Sequence, residues 1–205
     1  MIHETIITTA ARDGTVHVAP MGVRFEHGLA ILAPFRPSAT LDNIVASQSA
    51  VVNFTTDVRV FAGCVTGTQR EWPTVSASRV PSVRLAQSLA HTELTLAETL
   101  DDAQRPTLKM RCVHAETHAP FSGFNRAQAA VVEGAILVSR LFMLPAEKVD
   151  REIAYLQIAI DKTAGPDEQT AWSWILAAIE RYRASAVSKT GGSPDHAPHA
   201  MHEAR

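Results

Sequence analysis

The sequence predicts an α+β fold, in which an antiparallel sheet or small barrel comes first and helices follow. Three observations carry this reading. Short β-branched runs separated by turn residues fill the first part of the chain. No strand–helix–strand alternation of the parallel type appears. From Asn125 onward the apolar residues recur at helical spacing instead of alternating.

The elements follow in order. Ile2 to Thr9 is rich in Ile and Thr, and Asp13-Gly14 after it is a strong hairpin signal. The return strand runs from Thr15 to Phe25. Pro20 lies inside it, which argues for an edge position or a bulge, because proline has no N–H for a ladder. His27-Gly28 marks a second turn, and Leu29 to Pro34 is a short third strand, completing a meander. Ser38 then offers an N-cap, with Leu41, Ile44 and Val45 at helical spacing, so Ser38 to Gln48 is predicted as a short helix. Ala50 to Thr55 and Val58 to Val65 both read as strands, and Gly67 to Pro81 as loop. Leu89 to Ala97 and Leu108 to Ala115 form a second antiparallel pair. Within the latter, Leu108, Met110 and Cys112 alternate with Lys109, Arg111 and Val113.

Three helices are expected next. The first has its stripe at Ala127, Ala130, Val131, Gly134, Val138 and Leu141 and is ended by Pro145. The second is marked by Val149, Ile153, Leu156 and Ile160. The third opens at Pro166, where the missing N–H is harmless, with a stripe at Ala171, Ile175, Ala178, Ile179 and Tyr182. The chain therefore divides into a core over 1–120, a helical part over 121–184 packed on the same domain, and a tail over 185–205. The tail's Ser, Gly, Pro and His content predicts disorder.

Composition narrows the function classes. The 205 residues suit one domain, and 46% hydrophobic against 20% charged residues is an ordinary globular mixture. A formal net charge of −2 gives no electrostatic case for nucleic acid or an anionic membrane. No apolar run approaches the roughly 20 residues that span a bilayer. The N-terminus does not read as a secretory signal. Cys64 and Cys112 lie far apart and form no C-x-x-C pair, so both are expected to be reduced, buried thiols in a cytoplasmic protein.

No side-chain nucleophile motif, Walker loop or G-x-G-x-x-G is present. The histidines His3, His17, His114 and His118 could converge on a metal if strands brought them together, but they lack a metal-binding spacing; hydrogen-bonded strand residues are the better reading, and no metal is expected. His196, His199 and His202 recur in the tail, where solvation is the better reading. Trp172 and Trp174 flank a helical stripe and are assigned to packing, while Trp72 falls in a loop.

One stretch does suggest a ligand. Arg36-Pro37-Ser38-Ala39-Thr40-Leu41-Asp42-Asn43 joins a strand end to a helix start. Helix N-termini present unpaired N–H groups and positive partial charge, which favour phosphate. Ser38 and Thr40 add hydroxyls, Arg36 a planar cation, and Asn43 an amide one turn in. A plain N-cap with a solvated arginine is the simpler account of this stretch by itself. Upstream, Met21-Gly22-Val23 gives a strand with a gap in its side chains, where a flat ring could approach the backbone. Together they suggest a nucleotide-like ligand.

These motifs resemble the flavin-reductase-like branch of FMN-binding split β-barrels. They resemble more closely still an uncharacterised archaeal and bacterial family of split barrels. Further motifs carry the likeness: His3-Glu4-Thr5, His17-Val18-Ala19-Pro20, Asp57-Val58-Arg59-Val60-Phe61 and Gly123-Phe124-Asn125-Arg126-Ala127. The match spans about residues 1–183. The resemblance implies an antiparallel split β-barrel with C-terminal helices, a homodimer, and FMN at the subunit interface. By motif match, Arg36, Ser38, Thr40 and Asn43 would face the phosphate, and Met21, Gly22 and Val23 the isoalloxazine. Asn125 and Arg126 would add polar contacts, with an N-cap and a solvated arginine as the equal alternative. It also implies a flavin-dependent oxidoreductase, near methanopterin-linked one-carbon metabolism. A flavin-binding accessory protein and a ligand-free dimeric interaction module remain open beside it.

Overall fold

The computed structural model describes residues 1–190. In chain order it contains β1 (His3–Ala10), β2 (Val16–Glu26), β3 (Leu29–Leu32), α1 (Ala39–Ser47), β4 (Ser49–Phe54), α2 (Arg59–Thr66), β5 (Thr74–Ser76), β6 (Val83–Leu85), β7 (Ala90–Leu100), β8 (Thr107–Thr117), α3 (Arg126–Ser139), α4 (Ala146–Thr163) and α5 (Pro166–Thr190). Six strands close an antiparallel barrel in the order β1-β2-β3-β8-β7-β4, and β5 and β6 form a separate hairpin. The predicted fold class is the observed one.

Turn chemistry sets the first hairpins. Gly14 adopts φ +87, and the Asp13 carboxylate accepts the Thr15 N–H at 2.9 Å. His27 and Gly28 both adopt positive φ, 52 and 78, the combination that lets a two-residue turn match strand twist.

The barrel is filled from all its strands. Ile7, Val23, Leu32, Val52, Leu94, Leu108 and Met110 pack in it, and α1 contributes Leu41 and Ile44. Because strand side chains alternate, Ile6 beside Ile7 points the other way. It joins Val18, Val60, Phe61 and Leu85 in a second cluster outside the barrel. The helices build a third core, in which α3, α4 and α5 meet around Val131, Trp172 and Ile175. Arg59 ties α2 to α5 through Asp167 at 2.8 Å.

β2 pairs with β1 from Val16 to Val23, but with β3 only from Arg24 to Glu26. Its earlier stretch thus has no ladder partner on the β3 side, and Pro20 sits in that stretch opposite Ile6.

The β5–β6 hairpin is fastened to the outside of the barrel by buried polar groups. Asn53, fully buried on β4, donates to Ile6 O and Thr8 Oγ1, each at 3.1 Å, and accepts the Leu85 N–H at 2.7 Å. The Thr8 hydroxyl donates to Val83 O.

Several predicted elements differ. Val58 to Val65 is α2, not a strand. Its valines mimic a β run, yet Val60, Phe61, Ala62 and Gly63 are its buried residues, and Gly67 closes it in the left-handed conformation at φ 72. The predicted Gly67–Pro81 loop contains β5, too short at three residues for a sequence signal. α3 ends at Ser139, so Pro145 begins α4 as its N-cap residue rather than ending α3. Cys112 is exposed, not buried, while Cys64 is half-buried. α5 continues to Thr190, so residues 185–190 are helical, and the rest of the predicted tail, with His196, His199 and His202, lies outside the described residues.

Candidate functional site

The predicted phosphate-binding stretch forms where β2 and β3 part. β3 ends at Leu32, and the chain leaves the ladder toward α1 beside the unpartnered stretch of β2. Ser38 is the N-cap of α1, extended at φ −155 and ψ 123, and its hydroxyl accepts the Leu41 N–H at 3.4 Å. The N–H groups of Ala39 and Thr40 precede the first helical hydrogen bond, Asp42 N to Ser38 O at 3.0 Å, so neither has an intrahelical partner. Thr40 is buried in that first turn. Asn43 faces the sheet, its amide donating to Thr9 Oγ1 at 3.0 Å.

Arg36 is placed by the loop between β7 and β8. Its backbone N–H donates to Gln104 O at 2.8 Å, and its guanidinium pairs with Asp101 at 2.6 Å. Arg105 of the same loop donates to Ala33 O at 2.9 Å and lies over the Phe35 ring at 4.8 Å. Both Arg36 and Asp101 are solvent-accessible, so the pair is a loose one. Arg36 and Arg12 flank an open groove along α1, together with Leu41, Asp42 and Thr99. One guanidinium, one hydroxyl and two free helix N–H groups make a donor set that fits a phosphate monoester.

The isoalloxazine candidates sit in the unpartnered part of β2. Met21 O accepts the Thr5 hydroxyl at 2.8 Å, and Met21 packs against the barrel core. Val23 is fully buried in that core, leaving only its backbone for a ligand. Gly22 is needed by the protein itself, since a Cβ there would lie 2.7 Å from Ile2 Cγ2.

Asn125 and Arg126 stand in the helical layer. Asn125 is the N-cap of α3. It accepts the Ala127 N–H at 2.7 Å and donates to Thr163 O at 3.0 Å. Arg126 borders a cleft between α3 and α4 with Glu133 and Tyr155.

Sequence reasoning missed a histidine cluster at the far end of β7 and β8. The pairs His91↔Glu116 and Glu93↔His114 are opposite each other in the ladder. Because residues two apart share a face, His91, Glu93, His114, Glu116 and His118 converge on one side. His91 Nδ1 lies 2.9 Å from His118 Nε2, and its Nε2 lies 3.3 Å from Glu93 Oε1. Glu93 is fully buried and accepts backbone N–H groups from Ser78, Arg79 and Val80 at 2.7, 2.6 and 3.0 Å. Burial pushes its carboxyl up, but those N–H groups and His91 outweigh burial and hold it below the ordinary glutamate range. Burial, and Arg84 nearby, hold His118 below the usual imidazole range against the pull of Glu116. The signal in the sequence was the i, i+2 alternation of His and Glu in both strands. His3 and His17 are elsewhere: His3 packs edge-on against Phe25, and His17 lines a groove with Cys64 and Arg70.

With this geometry in place, comparison with known families is decisive. The family described as "Protein of unknown function (DUF447) N-terminal domain" matches residues 3–119, and "Protein of unknown function (DUF447)" matches residues 125–177. This chain belongs to the DUF447 family. The two DUF447 segments meet where β8 ends and α3 begins. The crystal structure of an FMN-bound DUF447 protein from Methanosarcina mazei has the same fold. It aligns at TM-score 0.74 and 19% identity over 86% of this chain and 94% of that one. A flavoredoxin from Methanosarcina acetivorans aligns at TM-score 0.51 and 14% identity over 57% and 69%. Nitrilotriacetate monooxygenase component B from Bacillus cereus aligns at TM-score 0.51 and 13% identity over 63% and 77%. These likenesses establish a flavin-reductase-like split-barrel fold. No curated protein sequence matches the chain. Among the described residues, no helix is long and apolar enough to cross a membrane.

Proposed function

We propose that this DUF447 protein binds FMN and serves as a flavin-dependent oxidoreductase, working as a homodimer in the cytoplasm. The observation that carries the reading is the phosphate-competent donor set at the start of α1, next to the unpartnered stretch of β2. The FMN-bound DUF447 protein of the same fold from Methanosarcina mazei supports it. In this reading Arg36, Ser38, Thr40 and the α1 N-terminus hold the phosphate. Asn43 acts from behind by fixing α1 to Thr9, while Asn125 and Arg126 contribute from the helical layer. The backbone of Met21, Gly22 and Val23 lines the ring. Bound flavin would supply hydride or electron transfer. The chain's own residues bind and orient it, and the β7–β8 loop sets Arg36 in place through the backbone bond to Gln104 O. Phe124 is fully exposed and Phe121 more than half exposed, with ring centroids 5.2 Å apart, and this apolar pair suits a subunit contact. The family resemblance extends the proposal to a role beside methanopterin-linked one-carbon metabolism.

The test is FMN affinity. Arg36→Ala removes charge-assisted bonds and should weaken FMN about 10–100-fold. Ser38→Ala should weaken it less, by about 3–10-fold. Asp101→Ala frees Arg36 from its exposed partner and should tighten binding by up to about 5-fold. Equal affinity in all three variants and the wild type would place the phosphate elsewhere.

A further inference from the structure

The histidine cluster on β7 and β8 is joined by a hydrogen bond between two rings. Two imidazole nitrogens, His91 Nδ1 and His118 Nε2, face each other at 2.9 Å. The rings are nearly parallel, 10° apart, with centroids at 5.0 Å. The tautomer of His91 follows from Glu93. An ionised carboxylate only accepts hydrogen bonds, so the proton on His91 sits at Nε2 and points to Glu93 Oε1. The Nδ1 lone pair then accepts the His118 Nε2–H, and an ion held by both nitrogens would take the place of that proton, with His118 protonated at Nδ1 instead. His91 Nδ1 or Nε2, His118 and a Glu116 oxygen offer one ligand atom each, all within 4.8 Å of one another.

We propose that His91, His118 and Glu116 form a binding site for a divalent transition-metal ion of the zinc class, with Glu93 as the positioning residue behind His91. Two imidazoles and a carboxylate are the donor types such ions prefer over magnesium or calcium. A carboxylate holding the outer N–H of a ligating histidine is the usual supporting arrangement at metal centres. It fixes the ring and raises the basicity of the metal-facing nitrogen. Charge points the same way. Glu93 is fully buried as the carboxylate that its three backbone N–H donors call for, and the side chain it meets is the neutral His91 ring. A cation beyond His91 would offset that charge through the imidazole. Arg84 is the cation nearby, but its guanidinium is turned to the carbonyls of Leu85 and Ala86 at 3.0 and 3.4 Å. Glu93 itself is not a ligand in this site, since three backbone N–H groups occupy its oxygens. Three protein ligands with a partly exposed His118 and an exposed Glu116 leave a coordination position toward solvent, the form of site that takes water or a further ligand.

The test uses the full chain carrying His196→Ala, His199→Ala and His202→Ala, because histidines spaced along the tail would take up zinc themselves. Equilibrium dialysis against zinc chloride should show one ion retained per chain. His118→Ala in that background should lower zinc affinity by at least the ~10–100-fold that loss of a supporting partner alone costs. Glu116→Gln, at an exposed position that leaves the fold untouched, should also weaken it. Unchanged circular dichroism would establish that each variant is folded; if His118→Ala is not, Glu116→Gln alone decides. No zinc on the tail-substituted chain, or affinity unchanged in the folded variants, would overturn the proposal. Flavin content does not enter this readout.

Discussion

Replacing Glu93 with Gln should be among the costliest single-atom changes in the barrel. The carboxylate is fully buried and takes N–H groups from Ser78, Arg79 and Val80, plus the His91 ring. In the glutamine variant one oxygen can remain on the Arg79 and Val80 side, where those bonds become neutral. Each then loses roughly 1 kcal/mol, the difference between a charged and a neutral acceptor. The amide NH2 turns toward the Ser78 N–H and leaves that donor unsatisfied, at about 1–3 kcal/mol. His91 can change tautomer and accept, so it adds little. The sum is about 3–5 kcal/mol at neutral pH, or a Tm lowered by roughly 6–20 °C for a domain of this size. Urea unfolding followed by tryptophan fluorescence measures it. The pH dependence has a definite sign. A carboxyl whose folded pKa is depressed contributes stability that is fully present above the unfolded value. That contribution is lost as pH falls through the folded value. The gap between wild type and variant should therefore narrow below about pH 4.3, the unperturbed glutamate value, and continue narrowing toward the depressed one. A variant within about 0.5 kcal/mol of wild type at pH 7, or a gap independent of acid pH, would refute the reasoning.

Two other perturbations probe the packing. Gly134→Ala places a Cβ 2.9 Å from Trp172 Cζ3 and 3.1 Å from Ile175 Cδ1. Overpacking of about 1–3 kcal/mol should exceed the ~1 kcal/mol gain in helix propensity, so Tm should fall; an equal or higher Tm would mean that α3 and α5 pack with slack. With a disulfide reagent, the folded protein should show a faster thiol at exposed Cys112 and a slower one at half-buried Cys64. Burial raises both thiols above the ordinary value, so both rates should climb as pH rises. Loss of the slower phase, rather than the faster one, in Cys112→Ser would reverse the assignment.

Much of this was legible in the sequence, and the misses have physical causes. Asp13-Gly14 and His27-Gly28 fixed the first meander because those turn types demand residues that tolerate positive φ. Ser38 announced α1 for the same kind of local reason. α2 was misread because Val58, Val60 and Val65 satisfy strand propensity, while tertiary contacts of Phe61 and Ala62 decided for helix. The spacing of Val58, Ala62 and Val65, closed by Gly67, was the overlooked helical signal. β5 and β6 have no periodicity to detect. What holds them is Asn53, a polar residue in an apolar run that binds a segment more than thirty residues away (|i−j| of 32 to Leu85). The phosphate-type stretch stood out because its residues are contiguous. The histidine cluster did not, since it needs the pairing of β7 with β8, which sets His91 opposite Glu116 and Glu93 opposite His114, before its members share a face.

The measurement that bears most directly on the central claim is the visible absorbance spectrum of freshly purified protein, repeated after incubation with FMN and gel filtration. The account predicts flavin bands that co-elute with the protein in at least the second sample, and that are lost in Arg36→Ala. Protein that emerges colourless from both would contradict FMN binding and leave the barrel as an interaction module.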